Sequence, residues 1–258
     1  FQTLEYLRSF LLGRVAWGSL NGLLLISGAL GVFKKELVIA CGGYDDDTIG
    51  EDMELTVRMR RYAREKGIDY VVGFVPDPLC WTEVPESWSV LRRQRNRWTR
   101  GALETLLAHK RLFLNPFYGK MGMISYPYWL LFEWLAPLIE AFGILILILF
   151  SLLGVINISF LYLFIALIYG YTVSFTIATL YIEEITFFQY KKRRQLLRLV
   201  LAGLLEPLFF HPFLVYCSVT GNWDYFFEGK KAWGSMKRVG FKKPTNKGRK
   251  ITSDPKGK

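Results

Sequence analysis

The sequence predicts an α/β domain followed by an α-helical membrane region, and three observations carry that prediction. Over the first 120 residues, short apolar runs broken by glycine or proline alternate with segments of helical period. Long, mostly apolar stretches follow, each of a length that spans a bilayer. From Gly229 to Lys258 there are eleven Lys or Arg against one acid, Asp254, so the tail alone accounts for most of the net charge of +11. These shifts divide the 258 residues into a soluble part at 1–120, a membrane part at 121–222 and a basic tail at 223–258.

Residues 2–17 mix apolar and basic side chains at helical spacing. Leu23 to Ala29 is a short apolar run with a glycine break, which reads as a buried strand. Lys34 to Ala40 reads as a short helix halted by Gly42 and Gly43. A helix over 51–66 is signalled by Thr48 and Glu51 as a capping box, by Glu54 and Arg58 four apart, and by Gly67 at its end. Asp69 to Val75 reads as a second strand, ended by Pro76 and Pro78.

After Ser87 comes a long basic helix in which three- and four-residue spacing puts Gln94, Arg97 and Trp98 on one face. An amide, a guanidinium fork and a flat apolar plate suit a substrate that carries both sugar and pyrophosphate. The remaining arginines there, Arg92, Arg93, Arg95 and Arg100, suit a helix lying on a membrane surface.

Ile124 to Ile156 and Phe160 to Ile182 are the first two candidate spans. Lys191 to Arg194 forms a basic cluster of the kind that marks a cytoplasmic side. A third apolar segment, Leu199 to Val219, is interrupted by Pro207, His211 and Pro212. If the cluster and the tail are both cytoplasmic, this segment is a re-entrant hairpin; a plain span with an external tail is the other arrangement.

Glu133 and Glu140, seven apart around Pro137, share a helical face at membrane depth, where Glu206 and His211 also lie. They read as polar lining or as interhelical pairs. His109 reads as an interface residue. The basic tail fits an anionic leaflet, and no nucleic-acid partner is expected. Cys41, Cys80 and Cys217 lack the spacing of a disulfide framework or zinc site, which agrees with a reducing compartment. The chain opens on Phe1 and reads as the C-terminal part of a longer protein.

Ser27-Gly28-Ala29, Gly42-Gly43-Tyr44, Gly50-Glu51-Asp52, Thr82-Glu83-Val84-Pro85-Glu86-Ser87 and Gln94-x-x-Arg97-Trp98 occur in this order ahead of apolar segments. The assembly resembles the membrane-integrated family 2 glycosyltransferases, which include cellulose, chitin, hyaluronan and poly-N-acetylglucosamine synthases. The resemblance implies the C-terminal half of a GT-A-type, Rossmann-like domain, cytoplasmic, on a multi-pass unit in the cell membrane. It implies inverting transfer from a nucleotide sugar, most often a UDP-sugar, to a growing β-linked polysaccharide.

In the resemblance Asp52 is the base, while Gln94, Arg97 and Trp98 line the acceptor site near the donor diphosphate. Glu51 and Gly28 join them in substrate binding, and Glu83 has a structural role nearby. The implied partners are the sugar donor, a glycan or lipid acceptor, the bilayer and an accessory membrane subunit. Mg²⁺ or Mn²⁺ is the implied cofactor, with ligands expected in an upstream half, so no metal ligand is named here. Asp45-Asp46-Asp47 has an Asp-x-Asp pattern, but the family's motif lies upstream of Ser-Gly-Ala, so these aspartates read as a solvated loop. The family more often has Thr where this chain has Gly50.

The chemistry agrees with the resemblance. A carboxylate at a helix N-terminus stays ionised and can take the proton of an attacking hydroxyl; helix capping is the competing role for Glu51 and Asp52. The Phe-x-Val-Thr-x-Lys gating sequence of cellulose synthases is absent, which puts a poly-N-acetylglucosamine-like or other exopolysaccharide ahead of cellulose. Two alternatives stay open: single-sugar transfer to a lipid, and a non-catalytic channel or assembly subunit.

Overall fold

The computed structural model describes residues 1–77, 79–190 and 192–229. Lys191 and the basic tail from 230 onward therefore lie outside the described residues. The first segment is helical as its spacing predicts: α1 (Gln2–Leu7) passes through a π-helical stretch, Arg8–Arg14, into α2 (Val15–Ser19). The short α3 (Lys35–Ala40) and the longer α4 (Glu51–Glu65) follow. The next helix, α5 (Trp88–Ala108), is capped at its start by Ser87, whose hydroxyl accepts from the Val90 N–H.

Among the described residues no strand forms, so the strands expected at 23–29 and 69–75 are corrected. A strand is defined by a backbone ladder, and between these two runs side chains make the bridging bonds instead. The Asn21 side chain accepts from the Val72 N–H at 2.8 Å and donates to the Tyr70 carbonyl at 3.1 Å. Arg60, buried at 3% exposure, donates to the carbonyls of Asn21 and Leu23. One asparagine and one arginine thus satisfy backbone groups that a sheet would otherwise pair.

The capping box is also corrected. Gly50, not Thr48, is the N-cap of α4, and the Thr48 hydroxyl donates back to the Asp45 carbonyl at 3.2 Å. The reason is a close helix contact: a Cβ on Gly50 would lie 3.0 Å from the Gly101 carbonyl carbon and oxygen. Nothing larger than glycine fits at either position without separating α4 from α5. Beneath this contact lies the core, where Leu24, Met53, Val57 and Leu106 pack with Leu112, Tyr118, Met121 and Tyr126. That cluster fastens α4 and α5 to the start of the first apolar helix, to which Met121 and Tyr126 belong. Burying each such side chain contributes about 1.5–3 kcal/mol.

The first apolar helix runs from Met121 to Leu152 and includes α6 (Tyr126–Tyr128) and α7 (Ala136–Leu152), with π-helical stretches at Met121–Ser125 and Trp129–Leu135. Glu133 lies in the second of these stretches, so the α-helical register that would align it with Glu140 does not hold. The second apolar helix is α8 (Ile158–Thr186) and the third is α9 (Arg193–Phe226). All three are long and apolar enough to cross a membrane.

α9 is one helix of 34 residues with Pro207 and Pro212 inside it, so the re-entrant hairpin is corrected to a single helix of spanning length. At 1.5 Å per residue it extends about 51 Å. The Tyr169 hydroxyl of α8 donates to the Leu204 carbonyl at 2.9 Å, beside the turn where Pro207 cannot donate.

Packing on α9 joins α5 to the long apolar helices. α5 lies against its C-terminal half: a Cβ on Gly221 would sit 2.9 Å from Thr99 Cβ, and Asn96 donates to Asp224 at 2.8 Å. Trp134 donates to Asn222 at 2.8 Å. Glu206, Glu140 and His211 of the long helices are paired: Glu206 takes both nitrogens of Arg8 at 3.0 and 2.7 Å, and His211 meets Glu140 at 2.9 Å. Arg95 and Arg100 do not fit the surface role expected of them, since both are buried, whereas Arg92 and Arg93 are exposed.

Candidate active site

Asp52 is the second residue of α4, where unpaired N–H groups and the helix dipole favour a negative charge. Its Oδ2 accepts from the Gly28 N–H at 3.0 Å and its Oδ1 from the adjacent Met53 N–H at 2.8 Å. A Cβ on residue 28 would lie 3.3 Å from that Oδ2, so glycine is what lets the backbone approach this closely. Ser27, Gly28, Ala29, Tyr44 and Asp52 line a recess of 240 Å³ that opens to solvent.

Tyr44 reaches this recess because the loop before it is held in place. Gly42 and Gly43 have φ of +98° and +74°, in the left-handed region that glycine occupies without strain. Arg58 donates to the Cys41 carbonyl at 2.7 Å and to the Gly43 carbonyl at 2.6 Å. Glu54 grips the same arginine at 2.8 Å and accepts from His109 at 3.2 Å. Because Arg61 donates to His109 Nδ1 at 2.9 Å, the histidine is set to donate from Nε2. His109, read from sequence as an interface residue, is a buried link between α4 and the end of α5. Burial pushes the Glu54 carboxyl up, but the hydrogen bonds from His109 and Arg58 and the charge of Arg58 outweigh it and hold the group below its usual value.

The charge of Asp52 acts on arginines of two helical segments. Burial pulls the Arg97 guanidinium down, opposed by the nearby charges of Glu51 and Asp52. Arg14, at the end of the π-helical stretch, is likewise pulled down by burial and raised by Asp52 and Tyr6. Burial pushes the Glu51 carboxyl up, with the Asp52 charge adding to it and a backbone hydrogen bond and Arg97 opposing. Asp52 thus lies on the edge of the recess, within charge range of Arg97 and Arg14.

The residues singled out from sequence separate into two groups. Gly28, Glu51, Asp52 and Arg97 are brought together by direct bonding or by mutual charge. Gln94 and Trp98 lie three and one residues from Arg97 on α5, and among the described residues neither bonds to Asp52. Gln94 is 9% exposed and its Oε1 is buried without a hydrogen-bond partner. Trp98 is 41% exposed.

Sequence reasoning missed Arg14, Gly101 and Glu104. The Glu104 carboxylate accepts from the Ile49 N–H at 2.8 Å, tying α5 to the start of α4. Gly101, three residues beyond Trp98, was a legible signal, because a glycine inside a helix normally marks a close approach. Arg14 carried no such mark; only the packing of the first helical segment brings it near Asp52.

Among the described residues no three His, Cys, Asp or Glu side chains gather in one place. Asp45 accepts from the Asp47 N–H at 3.0 Å, closing a turn on itself.

A family model described as "Glycosyl transferase family group 2" matches residues 3–177. A probable glycosyltransferase, YdaM, of Bacillus subtilis (strain 168) is 33% identical over 102 residues, 36% of this chain and 23% of that protein. A poly-beta-1,6-N-acetyl-D-glucosamine synthase of Staphylococcus aureus (strain COL) is 30% identical over 122 residues, 47% of this chain and 26% of its own length. One of the same description from Staphylococcus epidermidis (strain ATCC 35984) is 37% identical over 82 residues, 32% of this chain and 18% of its own length. The chain thus spans about a quarter or less of the length of these curated relatives. No solved structure matches it.

Proposed function

This chain belongs to glycosyl transferase family group 2, and we propose that it carries the base and acceptor side of an inverting enzyme that extends a β-linked polysaccharide from a UDP-sugar. The observation that supports this most is the Asp52 carboxylate, fixed by the Gly28 N–H at 3.0 Å on the edge of the recess. In this reading the acceptor hydroxyl attacks the anomeric carbon from the face opposite the leaving group. Its proton passes to Asp52, and the bond to the diphosphate oxygen breaks. Arg97 meets the charge that develops on the departing diphosphate. Gln94 lines the acceptor side one turn before Trp98, and the Trp98 indole supports the terminal acceptor sugar.

The same reading takes residues 1–120 as part of a cytoplasmic GT-A-type domain, 121–222 as a multi-pass unit in the cell membrane, and 223–258 as a basic cytoplasmic tail. The relatives' names favour N-acetylglucosamine as the sugar. The test is incorporation of labelled sugar from a panel of UDP-sugars in membranes holding the full-length protein or its Asp52→Asn variant. Large product from one donor, lost in the variant, is the expected result. Lipid-extractable product of one sugar would replace the polymer by a glycolipid, and equal activity in both proteins would remove Asp52 as the base.

A further inference from the structure

Arg95 connects two groups that the reaction scheme leaves apart. Its Nη1 and Nη2 donate to the two oxygens of Glu5, each at 2.7 Å. Its guanidinium carbon also lies 4.3 Å from the centroid of the Trp98 ring. Glu5 belongs to α1, while Arg95 and Trp98 are three apart on α5 and so neighbours on its surface. Arg95 is 8% exposed, whereas the indole it covers keeps 41% of its surface open.

The geometry of the arginine is informative. A bidentate carboxylate holds a guanidinium in one plane, and a guanidinium above an indole is attracted to the ring face. Arg95 Nε is buried with no hydrogen-bond partner. An arginine that served only to join two helices would be expected to satisfy that donor as well. Its placement instead keeps the guanidinium carbon over the indole ring and both terminal nitrogens on Glu5.

We propose that Glu5 and Arg95 are positioning residues that hold the Trp98 indole in the orientation that receives the terminal acceptor sugar. Through them α1, a segment outside every matched motif, sets acceptor geometry. The inference rests on the reading of Trp98 as the acceptor plate.

The experiment uses membranes holding the full-length protein, the donor that the sugar panel identifies, and a short β-linked oligomer of that sugar as acceptor. Acceptor KM, kcat and thermal midpoint are compared for Trp98→Ala and for the double variant Glu5→Gln with Arg95→Met. The double variant removes both charges, so neither is left buried alone. Each is expected to raise acceptor KM about tenfold, in the range that a cation–aromatic contact supports. The double variant keeps kcat within about twofold and keeps the thermal midpoint, since ground-state positioning changes binding before chemistry.

Wild-type acceptor KM in the double variant would make the pair a clamp between helices and overturn the proposal. Should the double variant unfold, Arg95→Lys decides, because lysine keeps the ion pair but not the planar fork. An unchanged acceptor KM in that variant overturns the proposal, and a rise of about threefold or more supports it. If Trp98→Ala itself leaves acceptor KM unchanged, the acceptor reading fails, and the positioning inference fails with it.

Discussion

Replacing Gly101 with alanine tests whether the backbone contact between α4 and α5 sets the site. A Cβ there would lie 2.8 Å from Gly50 Cα, 2.9 Å from Gly50 N and 3.2 Å from the Ile49 carbonyl carbon. Ordinary carbon–carbon contact is about 3.5–4.0 Å, so the helices must part by roughly 0.7–1.2 Å. All of the close atoms are backbone, so no side chain can rotate away. Overpacking of this kind costs about 1–3 kcal/mol, while alanine in place of a mid-helix glycine returns about 1 kcal/mol. The net loss of stability is therefore expected to be small, about 0–2 kcal/mol.

Activity should respond more strongly. Asp52 is two residues beyond Gly50 on α4, and Arg97 is four residues before Gly101 on α5, so the separation acts directly between these two residues. A misplacement of about 1 Å costs on the order of 100-fold in rate. The assay is sugar incorporation together with a thermal midpoint, using Gly170→Ala as control, since a Cβ at Gly170 meets nothing within 4 Å. Gly101→Ala with activity within about twofold of wild type would refute the claim that this contact positions the site.

Asp52→Asn should lower transfer by about 100-fold or more, the usual contribution of a positioned base, with folding retained by size-exclusion profile. Gln94→Met should raise the thermal midpoint, because it removes a buried unsatisfied oxygen whose desolvation costs about 1–3 kcal/mol, while lowering activity; a lowered midpoint would show that Oε1 is satisfied in solution. For Glu54 the carboxyl is held below its usual value in the folded protein, so its stabilisation is complete above the unfolded value, about 4.3, and is lost as pH falls through the lower folded value. Thermal unfolding between pH 3 and 7, given as the assay window of about four units, should therefore show the gap between wild type and Glu54→Gln narrowing only on the acid side. At neutral pH that gap should be about 3 kcal/mol, because Arg58 and His109 lose a shared buried partner. A gap independent of pH would refute the assignment.

Helices and apolar spans were legible in the sequence because each rests on local chemistry. The 3.6-residue period and the Ser87 cap mark α5, and the same period places Gln94, Arg97 and Trp98 together on it. Length and apolar composition alone mark the three long helices. The position of Asp52 at a helix start was legible too, and a helix start is a favourable place for a carboxylate whatever surrounds it.

What stayed hidden depends on partners distant in the chain. The runs at 23–29 and 69–75 have strand-like composition, but a strand needs a ladder, and Asn21 and Arg60 take those backbone groups instead. The prolines of α9 suggested a break, yet packing against neighbouring helices keeps the segment in one piece. Thr48 fits a capping box, but the contact of Gly50 with Gly101, 51 positions away, fixes where α4 begins. Arginines at 92, 93, 95 and 100 are alike in sequence; only Glu5, 90 residues from Arg95, makes that one a buried neighbour of Trp98. Local pattern specifies which elements form and which chemistry they carry. Which side chains meet is left to tertiary packing, because burial and charge pairing depend on groups that no local window contains.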